Sequence, residues 1–397
     1  MSLYELVTQR ETWEEFLALE EEKDYPDHKT IKTVKKIIKD EQYLKFDKEF
    51  MDTFSLSRLV QISHYNTSKK RIVYVYPEPY RSILKVVGKY MLSKYNNSFC
   101  KNSIAYTQGR SVRSAFSILG SFHLKPDDLV YKNDFSDYFN SIDINLLDAK
   151  LIDFLDLEDK DLHIFIMKLL REQQVFVGDK IETVETKGVM AGSPIAGILA
   201  NVFMHKVDTL MYERKYHYIR YADDTLIHGE EALEAFKKGV AEAGVRLNPK
   251  KMKTMTLRTG ITFLGFKHKG NITDISEDAL AKMKSRFKRR AKWYRIWMKK
   301  KRVPKYKALR NYISLINQKL YSDQDDSINW SRWYLPNIST TESLKYLDLY
   351  FVTCIRFLDS GTWHRGKKFY RLSYKDIKHM GYKSLVAEYY KIRKQKH

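Results

Sequence analysis

Cysteine is nearly absent from this 397-residue chain. Cys100 and Cys354 are too few for a disulfide framework or a thiolate metal site, and read as buried small hydrophobes. No apolar run reaches the ~18 residues that a membrane-spanning helix needs. The amino terminus, MSLYELVTQRETWEEF, is acidic and has no apolar core, so it does not read as a secretory signal. A reducing cytoplasm is the expected setting, without a membrane partner. No internal repeat or low-complexity linker is visible. Negative charge is missing in one place above all: Ala279 to Arg310 holds 15 Lys/Arg and no Asp/Glu.

Apolar residues, by contrast, make up 43% of the chain and aromatics 14%, enough to build a sizeable core and exclude wholesale disorder. At roughly 100–200 residues per domain, the length allows two or three compact units. The formal charge is +22, which points to a polyanionic partner, nucleic acid before membrane surface. That charge is unevenly placed. From Ile275 onward there are 30 Lys/Arg against 10 Asp/Glu, a net of +20, and everything before it nets only +2.

Residues 1 to about 55 pattern as helices of mixed charge. Strands are expected at Arg71–Tyr76 and Leu129–Phe135, and a hairpin at Val175–Thr186 with Gly178-Asp179 in its turn. Tyr216–His228 reads as two short strands meeting at an acidic tip, and Gly244–Phe266 as further strands. Helical spacing runs through Ser82–Tyr95, Ile144–Leu170, Pro194–Tyr212, Glu230–Ala243 and most of the chain after Asp278. Strands interspersed with helices predict an α+β body, followed by a separate helical domain. In that domain Leu280, Met283, Phe287, Tyr294 and Met298 share one helix face and leave most basic residues on the other.

Tyr221-Ala222-Asp223-Asp224 is the most informative segment. It lies between apolar Tyr218, Ile219, Leu226 and Ile227. Adjacent carboxylates in an apolar setting repel and are costly unless a cation neutralises them. A Mg²⁺ seat is one reading, and an Asp-Asp turn capping its own backbone is the other. Asp134, at the end of a strand-like run, is either a third carboxylate of the same site or a helix N-cap. Three carboxylates holding two ions would suit in-line phosphoryl transfer. Gly188 to Pro194 (GVMAGSP) leads into an apolar helix. Its small residues allow close backbone approach to a ligand, or simply make a loop-to-helix junction.

Taken in order, these segments resemble the reverse transcriptase family. NDFSDYFNSI, AGSPIAGILANVFM and IRYADDTLI are similar to its three catalytic motifs. GVRLNPKKMKTM and TFLGF resemble the fourth motif and the primer-grip strand, and KKRIVYVYPEPYRSIL and YTQGRSVRSA its fingers motifs. The resemblance runs from about Ser68 to Phe266. It implies a right-hand polymerase with fingers (61–130 and 151–188), palm (131–150 and 189–272), a basic helical thumb (273–397) and a helical extension (1–60). Asp134, Asp223 and Asp224 would be the catalytic metal ligands, with the Phe135 backbone carbonyl, for two Mg²⁺ ions; Mn²⁺ is an alternative. Phe139 would be the steric gate against a ribose 2′-hydroxyl. Arg71, Ala191, Gly192 and Lys251 would meet the incoming dNTP, with Lys253 one register away from Lys251. Ala191 stands where the family usually has Gln, so fidelity or template geometry is expected to differ.

Arg81, Arg110, Lys288, Arg289, Lys292 and Lys299 are the expected nucleic-acid contacts, gripping an RNA template and its DNA product through phosphates. Trp293, Tyr294, Trp297, Trp330, Trp333 and Tyr334 are divided between base stacking and helix–helix core, with core favoured for at least half. The NAxxH and VTG patterns usual in retron enzymes are absent. WSRWYLPNISTTESLKYLDLYF is more similar to stand-alone bacterial reverse transcriptases of phage defence and abortive infection. That resemblance implies a structured noncoding RNA as template, and leaves homo-oligomerisation or a second defence protein open. The rival readings are an RNA-directed RNA polymerase, an untemplated or protein-primed DNA polymerase, and a non-catalytic RNA-binding scaffold.

Overall fold

A computed structural model describes residues 3–23, 26–54, 56–63, 70–185, 188–321, 330–363 and 372–394. The chain forms two compact units, one of Met1–Leu124 with Asp128–Thr254, the other of Lys125–Asp127 with Met255–His397. Among the described residues, no helix is long and apolar enough to cross a membrane.

The first unit opens with α1 (Leu3–Thr8), α2 (Arg10–Glu21), α3 (His28–Lys39) and α4 (Lys48–Asp52), where helices are expected. Asp27 starts α3 by accepting from the backbone N–H groups of Lys29 and Thr30. Next come β1 (Arg58–Ser63), β2 (Lys70–Val75), α5 (Tyr80–Tyr95) and α6 (Val112–Gly120), then β3 (Val130–Asp134) and the single turn α7 (Tyr138–Ser141). The helical stretch expected over Ile144–Leu170 is in fact two helices, α8 (Ile144–Phe154) and α9 (Lys160–Arg171). Leu155 leaves α8 with extended backbone, and the buried Asp159 accepts from Tyr90, Tyr95 and Lys94, fixing the break. β4 (Gln174–Val177) and β5 (Lys180–Thr183) make the expected hairpin, with Gly178 at φ +65. They join a sheet of order β2-β1-β4-β5, in which β1 runs antiparallel to β2 and parallel to β4.

α10 (Ala196–Glu213) buries residues around its whole circumference, as its nearly unbroken apolar sequence requires. It packs against α8 and against α11 (Glu230–Glu242). Between α10 and α11 lie β6 (Tyr218–Tyr221) and β7 (Asp224–His228). β8 (Lys253–Met255) completes a second sheet, of order β6-β7-β3-β8. β3 and β6 are both antiparallel to the central β7.

The second unit begins with the antiparallel sheet β9 (Ile261–Phe263), β10 (Phe266–Lys269) and β11 (Ile272–Ile275). Helices α12 (Glu277–Lys300), α13 (Lys305–Tyr321), α14 (Trp330–Tyr334), α15 (Glu342–Ser360), α16 (Tyr374–His379) and α17 (Leu385–Lys394) follow. Ser276 caps α12, with acidic residues in its first turn and lysines in its last, as the helix dipole favours. Met283, Phe287 and Ala291 form its buried face. Phe287 meets Phe351 of α15 edge-on at 4.8 Å, and the Tyr312 hydroxyl of α13 donates to the Phe287 carbonyl. The α+β class expected from sequence is the class observed.

Candidate active site

β3 and β7 pair so that Asp134 lies directly opposite Asp224. Cross-strand neighbours stand about 4.5–5.5 Å apart at Cβ, a distance at which like charges destabilise the pair. Asp223 occupies the two-residue turn between β6 and β7, whose register closes on Tyr221 and Asp224. Ala222, the first turn residue, has φ +55, a conformation that a glycine would adopt without strain. Three carboxylate residues thus lie at one end of the sheet. Asp223 is held above the ordinary carboxylate range by burial first, then by the charge of Asp224, with Asp134 adding to it.

Two lysines answer this charge. Lys251 donates to both oxygens of Asp134 (2.6 and 2.8 Å), and Lys132 pairs with Asp224 at 2.9 Å. Among the described residues, no three His, Cys, Asp or Glu side chains converge as a ready metal cage. The donor set nevertheless suits a hard divalent ion, since Mg²⁺ takes one or two carboxylates and leaves its other positions to water and phosphate oxygens. The mutual repulsion at Asp223 is what such an ion would relieve.

Phe139 lies on α7, half-buried, five residues past Asp134. Its backbone carbonyl accepts from Val189 at 2.9 Å. A Cβ on Gly188 (φ +59) would lie 1.7 Å from that oxygen, so only glycine permits the approach. The loop then turns through Met190 (φ +56), and the Ala191 carbonyl accepts from Tyr74 N–H at 2.7 Å. Gly192 (φ +99) is exposed, and a Cβ there would meet the Tyr74 carbonyl at 2.9 Å. GVMAGSP is therefore more than a junction: it ties α7 to β2 and leads into α10. Phe135 is buried between Tyr138 and Phe236, and its backbone forms a bridge to Leu247.

The reverse transcriptase (RNA-dependent DNA polymerase) family matches residues 62–268, just over half of the chain. The chain belongs to the reverse transcriptase family. Solved structures similar to it include the RNA-dependent RNA polymerase of a human picorbirnavirus, as an insertion-loop deletion mutant. It is 12% identical, with 57% of this chain and 48% of that chain covered and a TM-score of 0.42. The apo telomerase of Candida tropicalis, truncated from its C-terminal domain, is 14% identical, with 54% and 53% covered and a TM-score of 0.40. The telomerase of Candida albicans, in complex with a TWJ fragment of telomeric RNA, is 12% identical, with 83% and 62% covered and a TM-score of 0.40. The chain spans about half the length of the first of these relatives. No curated protein matches it.

Under the acidic turn of this reverse transcriptase domain lies a group that sequence reasoning missed. Arg220, on β6, is fully buried. It donates from Nε to both oxygens of Asp208 on α10 (2.9 and 3.2 Å) and from another nitrogen to the Ala222 carbonyl (3.1 Å). It also donates to Ser103 Oγ (2.8 Å) and to the buried Asn201 Oδ1 (3.1 Å). The Tyr218 hydroxyl donates to Asp208 at 2.7 Å. The strained turn is thereby keyed to α10 through a buried ion pair. Burying two charges is tolerable only with such complete pairing. The one legible signal was a charged residue within each of two apolar runs.

The remaining expected contacts of a reverse transcriptase differ in their placement. Arg71 lies in β2 by its backbone, and its side chain is outside the described residues. Arg81 is half-buried in the first turn of α5. Arg110 is half-buried, and its guanidinium closes a loop by donating to the carbonyls of Phe99, Cys100 and Ser103. In the second unit, Lys288, Arg289, Lys292 and Lys299 are all exposed along α12, with Lys288 over the Trp363 ring at 5.5 Å. Trp293 is half exposed beside them and stacked on Trp297 at 6.0 Å. Trp333 and Tyr334 are structural: the Trp333 indole donates to the Leu264 carbonyl and Tyr334 packs on Phe266.

Proposed function

We propose that the chain is an RNA-directed DNA polymerase that extends DNA from dNTPs by phosphoryl transfer at Asp134, Asp223 and Asp224. The observation that carries this is the register placing Asp134 opposite Asp224, with Asp223 on the adjoining turn, in a chain of the reverse transcriptase family. Asp134, Asp223, Asp224 and the Phe135 carbonyl would hold two Mg²⁺ or Mn²⁺ ions. Those ions, when bound, supply Lewis acidity at the attacking 3′-hydroxyl and charge neutralisation at the leaving oxygen. Phe139 excludes the ribose 2′-hydroxyl. Lys251, within reach of Asp134, exchanges that carboxylate for a triphosphate oxygen. The exposed Gly192 lets backbone approach the nucleotide where Ala191 removes the larger amide side chain.

In this reading residues 61–130 and 151–188 are fingers, 131–150 and 189–272 palm, and 273–397 a thumb whose α12 lysines and arginines hold phosphates. The 1–60 helices are an extension. We assign the chain to stand-alone bacterial reverse transcriptases of antiphage defence, copying a dedicated noncoding RNA in the cytoplasm. The likeness of 330–351 to those enzymes supports this.

Asp223→Asn should abolish dNTP incorporation on an RNA template–primer while folding and RNA binding persist. Retained incorporation overturns the assignment. Sequencing the RNA that copurifies tests the template: one uniform structured RNA supports a dedicated template, and a heterogeneous pool refutes it. DNA still attached to the protein after denaturation would point to protein priming.

A further inference from the structure

Tyr106 has φ +57, a left-handed conformation in which a bulky residue is strained. Its surroundings enforce it. Asn201 donates from Nδ2 to the carbonyls of Ala105 (2.8 Å) and Tyr106 (3.3 Å). Thr107 Oγ1 donates to the Ile104 carbonyl (2.8 Å). The Tyr106 ring rests on α10 at Gly197, where a Cβ would lie 2.3 Å from Cγ and Cδ1. From that seat the ring meets Phe139 edge-to-face, with centroids 6.1 Å apart and planes at 79°. Burial, then the charge of Asp223, raises the phenol's pKa. Even so, Tyr106 is 44% exposed. A residue that is strained, costly in open apolar surface and aimed at Phe139 needs its ring for something other than core packing.

We propose that Tyr106 is a positioning residue for the sugar gate, its ring edge fixing the orientation of Phe139 and so the clearance left for a 2′-hydroxyl. This rests on the reading of Phe139 as the gate. Among the described residues, the other ring against Phe139 is its chain neighbour Tyr138, at 5.5 Å and 60°. Tyr138 is anchored separately, its hydroxyl donating to the Ala200 carbonyl. Tyr106 therefore supplies the contact that arrives from a different element. Gly197 is part of the same device, because it leaves the ring its seat.

The full chain is assayed on an RNA template–primer, with discrimination taken as kcat/KM for a dNTP over that for the matching rNTP. Tyr106→Ala and Gly197→Ala should each lower this ratio by about fivefold, the scale of one edge-to-face ring pair. Tyr106→Phe, which keeps the ring, should preserve it. Phe139→Ala should lower it further, and adding Tyr106→Ala to Phe139→Ala should change nothing more. Thermal melts identify any variant that fails to fold; Gly197→Ala displaces the ring without deleting it and provides the second route. If Phe139→Ala lowers the ratio while Tyr106→Ala and Gly197→Ala leave it unchanged, the proposal is overturned and the gate stands. If Phe139→Ala itself has no effect, the gate reading falls and the proposal with it.

Discussion

The Asp223 carboxyl stays above the ordinary carboxylate range because burial and two neighbouring carboxylates oppose its charge, which Lys251 only partly offsets. A folded-state pKa raised above the unfolded one contributes stability below the unfolded value, and loses it as pH rises through the folded value. Charged Asp223 is thus a net cost at neutral pH. In EDTA at pH 7, Asp223→Asn should melt above the parent chain, and the gain should shrink as pH falls toward about 3.9. Equal melting temperatures at pH 7 would mean that the charge costs nothing. Asp134, Asp223 and Asp224 were legible because paired acids inside apolar runs break a pattern. Arg220 and Asp208 were not: they stand 12 positions apart, and only the fold shows them as a pair.

The hairpin β6–β7 and the helix α10 are coupled through that pair. Arg220→Ala or Asp208→Ala alone should cost about 3–5 kcal/mol, because each strands a buried charge. Arg220→Lys should also destabilise, since an ammonium cannot reproduce the planar fork to Asp208. Replacing both residues with apolar ones of similar volume should recover much of the loss, which urea denaturation of the single and double variants would measure. If the single losses simply add, the two residues do not act as a pair. Most elements around the site were readable from period and turn residues, β3, β7, α10 and the β4–β5 hairpin among them. β1 was not, because RLVQIS mixes polar residues into both faces and pairs with the distant β4 as well as with β2. α6 escaped because its nine residues follow directly on an irregular segment. The stretch over 144–170 read as one helix because apolar spacing continues across Leu155–Leu157, while its break depends on Asp159 finding partners on α5.

Positive charge is concentrated after Ile275, whereas the carboxylates lie before it. The separation is not absolute, for Lys132 and Lys251 sit on Asp224 and Asp134. A body of near-zero net charge can keep such local pairs without a field that repels divalent ions, and leave sequence-blind grip to the basic segment. If Lys292 and Lys299 contact phosphates, replacing each with Ala should weaken template–primer binding equally for all sequences. Each should also reduce the slope of log K against log salt by about 1. Fluorescence anisotropy across a salt series would check this; an unchanged slope would remove that lysine from the interface. A charge map of the sequence located the basic segment. It did not show that the chain passes into its second compact unit at Met255, because that boundary falls inside a strand, β8, rather than in a linker.

Asn201 has a consequence for how this site can change over generations. Its side-chain oxygen accepts from Arg220, and its nitrogen donates to the carbonyls of Ala105 and Tyr106. One amide therefore serves the acidic turn and the strained tyrosine together. Aspartate would lose the donor, leucine both kinds of partner, and glutamine, one methylene longer, the placement of the amide. A substitution at Asn201 should cost least where Arg220 and Tyr106 have also changed. The three positions are therefore expected to vary together rather than one at a time.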